Sequence, residues 1–327
     1  MKIQNQFIDK PKGELHVHLN GLVSTAIVRE LLLKDNAPIP HGFDLNRDLT
    51  RLAPSRDLAT YLKPWEVLRL VPRSQTSLAI LIDNAFNNLK EQSIRFAEIR
   101  SSVLYLSSIN NVAVETALSW LIDEISTAAS KYEIKAGLIL TVSRGDLACI
   151  HLTKLLEAFN NLDRPDFVIG IDLAGNEDAP SPLELGSLFT KAKDEFGLNI
   201  TIHAGETGNV DNILDAVVNF KADRIGHGTA AYKSEAIMEL LQKNDICIEV
   251  CPISNRLTGA IKENEKHPVV EFIKWGVPFV ICSDNPSIHA AGLSDDYLHF
   301  YNETKSLEQI DNMFKKQKKY SFIKGLT

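Results

Sequence analysis

The 327-residue sequence predicts an α/β fold, a (β/α)8 barrel of the TIM type with extra helices inserted between strands 1 and 2. Three observations predict this fold. Short β-rich apolar runs alternate with helix-period stretches eight times, which is typical of parallel strands joined by crossover helices. Histidine, glycine and aspartate residues end or follow several of these runs, where such a barrel places its catalytic residues. No low-complexity linker divides the chain, so a single domain over residues 1–327 is expected.

The eight predicted strands are the short apolar runs. They lie near residues 13–18, 94–101, 134–142, 167–173, 198–203, 223–227, 246–251 and 278–283. Helix-period stretches separate them, and the clearest cover residues 77–92, 113–131, 181–196, 209–221, 233–244 and 268–275. The block of about 22–93 is too long for one crossover, so we expect it to form several extra helices near the mouth of the active site. The lysine-rich residues 315–319 are interpreted as a solvated helix end.

Composition and charge exclude several classes of protein. A net charge of −7 argues against a broad nucleic-acid surface, which would need a basic face. Residues 1–5 lack an apolar signal core, and no apolar run approaches the roughly 18 residues of a membrane span. A soluble cytoplasmic protein without a membrane partner is therefore expected. The four cysteines show no C-x-x-C spacing and are interpreted as buried free thiols.

Four residues at the ends of separate predicted strands are candidate metal ligands. His16 and His18 are two residues apart on the first strand, so both imidazoles point to the same face and can bind one metal ion. His203 and Asp284 end the fifth and eighth strands and complete a nitrogen and oxygen ligand set typical of Zn²⁺. The sequence therefore predicts one Zn²⁺ per chain, with a coordination position left for water.

Two further residues can supply proton transfer beside such a metal. A zinc ion lowers the pKa of its bound water to about 7, and His227 is interpreted as a group outside the ligand set that takes or steers the water proton. Glu206 follows His203 by three residues, across an Ala-Gly step. It could protonate a ring nitrogen of a heteroaromatic substrate, a general-acid effect of about 10²–10⁴-fold.

Each of these residues also has a purely structural interpretation. His227 stands between two glycines and could be a tight-turn residue. Glu206 could be a helix-start carboxylate stabilised by the helix dipole. The segment Asp284-Asn285-Pro286 could be only a turn, because all three residue types favour turns.

The segments together resemble the adenosine deaminase family, over residues 11 to about 300. The resembling motifs are Leu-His-x-His-Leu-x-Gly, Asp-Leu-Ala-Gly, His-Ala-Gly-Glu, Arg-Ile-Gly-His-Gly, Cys-Pro-x-Ser-Asn and Ser-Asp-x-Pro. The resemblance implies hydrolytic removal of the 6-amino group of a purine, with ammonia as the second product. It implies zinc on the four ligands above, Glu206 as the donor to purine N1 and His227 as the partner of the attacking oxygen. Gly175 would offer its backbone N–H to purine N3.

Two positions depart from the commonest pattern of the family. Asn20 stands where adenosine deaminases usually have an aspartate facing the ribose 5′-hydroxyl, and relatives acting on N6-methyl-AMP look like this chain there. A neutral amide would not repel a 5′-phosphate and could donate a hydrogen bond to it. Asn285 stands where many relatives carry an aspartate that binds purine N7, and its amide could donate to N7 instead.

Several alternatives stay open. The substrate could be a purine nucleoside or its 5′-monophosphate, with adenine or N6-substituted AMP as further candidates. A barrel that binds a metal or ligand without catalysis is the non-enzyme alternative. A binuclear hydrolase is disfavoured because strand four ends in Asp172-Leu173-Ala174-Gly175 without a lysine, and the His-x-Glu and Pro-Cys-x-x-Cys patterns of other zinc deaminases are absent. Arg56, Lys63 and Arg100 are candidates for a phosphate contact, but each is interpreted as a surface or salt-bridge residue.

Overall fold

The computed structural model describes residues 6–326 and confirms the predicted barrel. Within these residues, eight parallel strands form one nearly closed sheet in chain order. The strands are β1 (Lys12–His18), β2 (Ile94–Ser101), β3 (Lys135–Ser143), β4 (Val168–Ala174), β5 (Asn199–Ala204), β6 (Arg224–His227), β7 (Cys247–Val250) and β8 (Phe279–Ile281). Every predicted strand lies within two residues of its observed ends. The expectation about an N-terminal signal falls on residues outside the described part of the chain.

The predicted insertion between β1 and β2 is also confirmed as helical. It contains α1 (Leu19–Leu22), α2 (Thr25–Lys34), α3 (Leu58–Tyr61), α4 (Trp65–Leu68) and α5 (Gln75–Glu91). The side chain of Asp57 accepts a hydrogen bond from the backbone N–H of Thr60, which caps the first turn of α3. Helices α3 and α4 bring Leu58, Tyr61 and Trp65 into the wall of the main cavity.

The remaining helices cover the outside of the barrel and its rim. After β2 to β5 they are α6 (Val103–Asn110), α7 (Val114–Tyr132), α8 (Ala148–Asn161), α9 (Leu185–Asp194) and α10 (Asp211–Val218). After β6 to β8 they are α11 (Glu235–Lys243), α12 (Pro252–Leu257), α13 (Val269–Trp275), α14 (Pro286–His289), α15 (Leu293–Thr304), α16 (Leu307–Asp311) and α17 (Met313–Tyr320). Helix α9 begins four residues later than predicted because Pro182 disfavours helical backbone just before it.

Most remaining expectations about the chain agree with the structure. Cys247, Cys251 and Cys282 are buried free thiols, whereas Cys149 is only half-buried because it lies on the outer helix α8. Residues 315–319 lie near the end of α17, as predicted, but only Lys315 and Lys319 are exposed, and Gln317 is buried against the barrel, so the segment is solvated only in part. Among the described residues, no helix has both the length and the apolar character that crossing a membrane requires.

The last strand closes against the first through two backbone hydrogen bonds. The N–H of His18 donates to the carbonyl of Asp284 at 3.0 Å, and the N–H of Asp284 donates to the carbonyl of His16 at 2.9 Å. Val17 and Asp284 form the corresponding parallel bridge. Barrel closure therefore places Asp284 directly beside the two histidines of β1.

The barrel interior contains buried charges as well as apolar side chains. Arg224 donates to Glu249 at 2.7 Å and to Glu98 at 2.5 Å. Arg100 donates to Glu249 and lies 3.5 Å from Asp172. We call these five residues the interior ion network. All five are buried, so each charge depends on its partners rather than on water.

Candidate active site

The four predicted metal ligands lie together at the carboxyl ends of β1, β5 and β8. His16, His18, His203 and Asp284 each offer one donor atom, and these atoms all lie within 4.8 Å of one another. His18 Nε2 is 3.3 Å from His203 Nε2, and Asp284 Oδ1 is 3.6 Å from His16 Nε2 and 3.5 Å from His18 Nε2. Donor atoms bound about 2.0–2.2 Å from one zinc ion lie about 2.9–3.6 Å apart at ordinary coordination angles. The donor types and their separations therefore fit one zinc ion.

Buried partners orient three of the four ligands. His16 Nδ1 lies 2.7 Å from Glu249 Oε2, and His203 Nδ1 lies 2.9 Å from Asp172 Oδ1. The hydroxyl of Ser254 donates to Asp284 Oδ2 at 2.6 Å and leaves Oδ1 for the cluster. Carboxylates that accept from the outer nitrogen of a histidine fix its ring orientation and strengthen it as a ligand.

The interior ion network keeps both orienting carboxylates ionised. Burial alone would raise their pKa values, but the guanidinium groups of Arg100 and Arg224 hold the pKa of Glu249 well below its usual range. For Asp172, burial is likewise outweighed by His203 and Arg100, and its pKa is lowered. Arg100 is therefore a structural ion-pair residue, as the sequence indicated, and so are Arg56 and Lys63, which pair with Asp57 and Asp48.

His227 ends β6 and faces the cluster from the side. Its ring centroid is 4.9 Å from that of His16, and its residue is only 2% exposed. Its backbone has φ of +63°, a left-handed conformation that is rare and strained for a residue other than glycine. Burial lowers the pKa of His227 well below its usual range, so the ring is neutral. The tight-turn interpretation is therefore insufficient, because the imidazole points into the site.

Glu206 is a buried carboxyl group in the loop between β5 and α10. Its Oε1 has no hydrogen-bond partner among the described residues. Burial, together with the negative charges of Asp284 and Glu177, raises its pKa well above the usual range. Because α10 begins only at Asp211, the helix-start interpretation of Glu206 is wrong. A protonated carboxyl group aimed at the cavity is an available general acid.

Glu177 fixes the loop that carries this acid. Its carboxylate accepts hydrogen bonds from the backbone N–H groups of Gly205 and Thr207, the residues on either side of Glu206, the latter at 2.9 Å. It also accepts from the side chain of Asn212 at 3.0 Å. Glu177 lies in the loop after β4, two residues beyond Gly175, so this loop supports the loop after β5 that carries Glu206.

All of the predicted site residues except His16, which is fully buried, line one cavity of about 320 Å³. The cavity wall includes Gly175, Glu206, His227 and both predicted asparagines. Gly175 has φ of +100°, which a side chain would oppose. Its backbone N–H makes no hydrogen bond within the described residues, so its predicted role as a donor to the ligand stays consistent with the structure.

The structure corrects the argument made for Asn20. Its amide nitrogen donates to the carbonyl of Leu68 at 2.6 Å and to that of Val71 at 3.2 Å. Carbonyl oxygens only accept, so both amide hydrogens are used and the side chain presents only its Oδ1 to the cavity. The expectation that this amide donates to a phosphate is therefore wrong.

Asn285 belongs to a second hydrogen-bonded group that the sequence did not reveal. Its Nδ2 donates to the hydroxyl of Tyr61 at 3.3 Å, and that hydroxyl lies 2.6 Å from His289 Nε2. Nδ2 has a second hydrogen, so its predicted contact with a purine nitrogen stays a prediction. Tyr61 reaches the site from α3 in the insertion, and no spacing pattern in the sequence links it to Asn285.

Other supporting residues had a weak signal in the sequence. Glu249 is a charged residue inside an otherwise apolar strand run, which suggests a buried partner. Asp172 lies in the segment that ends at Gly175, but its contact with His203 depends on how β4 pairs with β5.

Comparison with known proteins places this geometry among purine deaminases. A family model described as adenosine deaminase matches residues 11–325. An adenosine deaminase of Clostridium acetobutylicum is 35% identical over 311 residues, covering 92% of this chain and 90% of that protein. An adenine deaminase from Arthrobacter aurescens superposes with a TM-score of 0.85 at 22% identity, covering 96% of this chain and 94% of that one. An N6-mAMP deaminase from Arabidopsis gives a TM-score of 0.82 at 21% identity, covering 99% and 96%. At these identities, the two solved structures show a common fold.

Proposed function

The chain belongs to the adenosine deaminase family, and we propose that it removes the 6-amino group of a purine nucleoside, or of its 5′-monophosphate, by zinc-dependent hydrolysis. The observation that supports this most is the position of Glu206. Its carboxyl group, whose pKa is raised by burial and whose Oε1 makes no hydrogen bond, lines the same cavity as three members of the cluster, His18, His203 and Asp284. A non-catalytic metal-binding barrel would have no need for a buried acid with a free oxygen.

The chain's residues divide the chemistry between them. A bound zinc ion would make the attacking water more acidic. Glu206 gives its proton to a ring nitrogen of the purine, which makes the adjacent carbon electron-poor and open to attack by the water oxygen. His227 hydrogen-bonds that oxygen from the other side. The bond from carbon to the amino group then breaks, and the amino group leaves as ammonia with one proton of the water. The other water proton restores the acid form of Glu206, so overall one water is consumed and a 6-oxopurine is formed.

The structure favours a nucleoside over a nucleotide at Asn20. With both amide hydrogens held by Leu68 and Val71, the remaining Oδ1 can accept from a hydroxyl group but would repel a phosphate. One observation favours the monophosphate as a second candidate. Arg69 lines the cavity, is exposed and has no ion pair among the described residues. The test must therefore compare the two directly.

The decisive experiment measures ammonia release and the ultraviolet change from adenine to hypoxanthine on zinc-loaded protein. Adenosine and AMP form one matched pair, and deoxyadenosine and dAMP form another. Higher kcat/KM for the nucleosides is expected. Higher kcat/KM for the monophosphates would instead identify the nucleotide as the substrate. Turnover of only adenine or N6-methyl-AMP would contradict both the nucleoside and the monophosphate as substrates.

A control separates catalysis from binding. Glu206→Gln is expected to bind zinc as the wild-type protein does and to lose turnover. Zinc-loaded wild-type protein that binds purines but releases neither methylamine from N6-methyl-AMP nor ammonia from the other five compounds would contradict the proposal and leave the non-catalytic barrel.

A further inference from the structure

A chain of buried hydrogen bonds runs from the start of α13 to His227. The backbone N–H of Val269 donates to His267 Nδ1 at 3.1 Å. His267 Nε2 lies 3.3 Å from Asn255 Oδ1, and Asn255 Nδ2 lies 3.0 Å from His227 Nδ1. His267, Asn255 and His227 are at most 2% exposed, so water does not compete for these bonds. We call this chain the Val269–His227 relay.

Only one direction of donation satisfies every bond in the relay. Val269 is the first residue of α13, where a backbone N–H has no acceptor within the helix and can only donate. His267 Nδ1 must therefore accept, which puts the ring hydrogen of His267 on Nε2. Nε2 then donates to the carbonyl oxygen of Asn255, and the amide nitrogen of Asn255 donates to His227 Nδ1.

The opposite direction is excluded by the fixed donor. If His227 Nδ1 carried a hydrogen, Asn255 would have to turn its oxygen toward His227 and its NH2 group toward His267. His267 would then accept at Nε2 and carry its hydrogen on Nδ1, directly facing the N–H of Val269. Two donors would meet in a buried site with no acceptor. Burial also lowers the pKa of His267 to about 3 and keeps that ring neutral.

We propose that Asn255 and His267 are positioning residues that fix His227 as the tautomer with its hydrogen on Nε2. Nδ1 is hydrogen-bonded by Asn255 at 3.0 Å, and Glu206 Oε1, at 3.7 Å from Nδ1, is beyond hydrogen-bond distance, so Nε2 is the ring nitrogen left for a ligand. In this tautomer Nε2 donates a hydrogen bond and has no lone pair with which to accept a proton.

The tautomer decides between two roles that the sequence left open for His227. The residue steers the attacking oxygen by donating to it and does not take its proton. This catalytic consequence rests on the proposed function, whereas the tautomer itself does not. The inference also gives a role to the hydrogen bonds that connect the start of α13 with His227. The backbone N–H of Val269 can only donate, so it sets the direction of every other hydrogen bond in the relay.

The tautomer can be measured without any activity assay. Long-range ¹H–¹⁵N spectra of ¹⁵N-histidine-labelled full-length protein, with and without zinc, distinguish the two neutral forms by the ¹⁵N shifts. The His227 signals are assigned by their loss in His227→Gln. We expect the form with hydrogen on Nε2. A hydrogen on Nδ1 in the wild-type spectrum would overturn the proposal, whatever the enzyme does to purines.

Asn255→Asp tests the cause of the tautomer. A carboxylate of the same shape accepts from both neighbours, so the His227 hydrogen is expected to move to Nδ1. With a substrate established, kcat should fall about 10²–10³-fold, the range for the loss of one hydrogen-bond donor to the reacting oxygen, while zinc content stays unchanged. Asn244→Asp, the same change at an exposed position outside the relay, should alter neither property. An unchanged His227 spectrum in Asn255→Asp would overturn the assignment.

Discussion

The two sides of the cavity are held by different kinds of interaction. On the metal side, His16 of β1 and His203 of β5 contact the interior ion network through their outer ring nitrogens, so full charges fix these two rings. On the substrate side, Asn20 ties α1 to the later part of the insertion through neutral hydrogen bonds to the carbonyls of Leu68 and Val71. The comparison indicates that charged groups on the barrel strands fix the metal side, whereas this part of the substrate side depends on hydrogen bonds to backbone carbonyls.

The largest effect is expected where the two sides meet, at Glu206. Glu206→Gln removes the transferable proton and should lower kcat by about 10²–10⁴-fold or more, with zinc content unchanged. In the wild-type protein, burial and the negative charges of Asp284 and Glu177 raise the pKa of Glu206 well above its usual range, which favours its protonated form. The ratio kcat/KM should therefore fall as the pH rises above that pKa. A pH–rate profile checks this, and an unchanged alkaline limb in the variant would show that another group is responsible.

The second prediction concerns the metal side alone. Glu249→Gln removes the carboxylate that orients His16, and zinc affinity should fall about 10–100-fold. Glu98→Gln is a matched control because Glu98 pairs with the same Arg224 but contacts none of the four ligands. Both variants should lower the free energy of unfolding, since each leaves a buried guanidinium with fewer partners. Competition with a zinc chelator measures the difference, and equal zinc affinities would mean that Glu249 acts only on stability.

The same contrast explains what the sequence could and could not predict. His16, His18, His203 and Asp284 end strands, and the barrel sends all strand ends to one rim, so their local patterns were sufficient. Tyr61 and Asn20 depend on the path of the insertion. Asn20 contacts residues 48 and 51 positions away and Tyr61 contacts residues 224 and 228 positions away, and contacts at such separations follow no periodicity. The role of Asn20 was consequently misjudged, because its acceptors are backbone carbonyls, which no side-chain pattern reveals.

The third prediction tests the link between loops around Glu206. Glu177→Gln replaces one acceptor oxygen by a donor, so the N–H of Gly205 or Thr207 loses its partner. The carboxyl group of Glu206 should then be less well placed, and kcat should fall about 10-fold, less than the loss for a misplaced reacting group. Removing the negative charge also lowers the pKa of Glu206, so the alkaline limb of kcat/KM should move to lower pH.

A neighbouring residue provides the control for that shift. Asp178 is exposed and its side chain contacts neither Gly205 nor Thr207. Asp178→Asn removes the same charge from the same loop and should leave both kcat and the pH profile close to those of the wild-type protein. If both variants moved the alkaline limb of kcat/KM equally, the shift would come from the total charge of the loop, and Glu177 would have no specific role.

The smallest effect is expected at Asn20, and a pair of variants separates its two candidate roles. Asn20→Ala frees the carbonyls of Leu68 and Val71 without adding charge, and should lower the free energy of unfolding by about 1–3 kcal/mol. KM should rise by a similar factor for adenosine and AMP, because the whole cavity wall loosens. Asn20→Asp frees the same carbonyls and adds a negative charge. A larger loss for AMP with Asp than with Ala would place the phosphate beside this residue. Equal losses would mean that Asn20 acts only by holding the insertion in place. The choice between adenosine and AMP would then be made elsewhere on the cavity wall, and Arg69 would be the first residue to test.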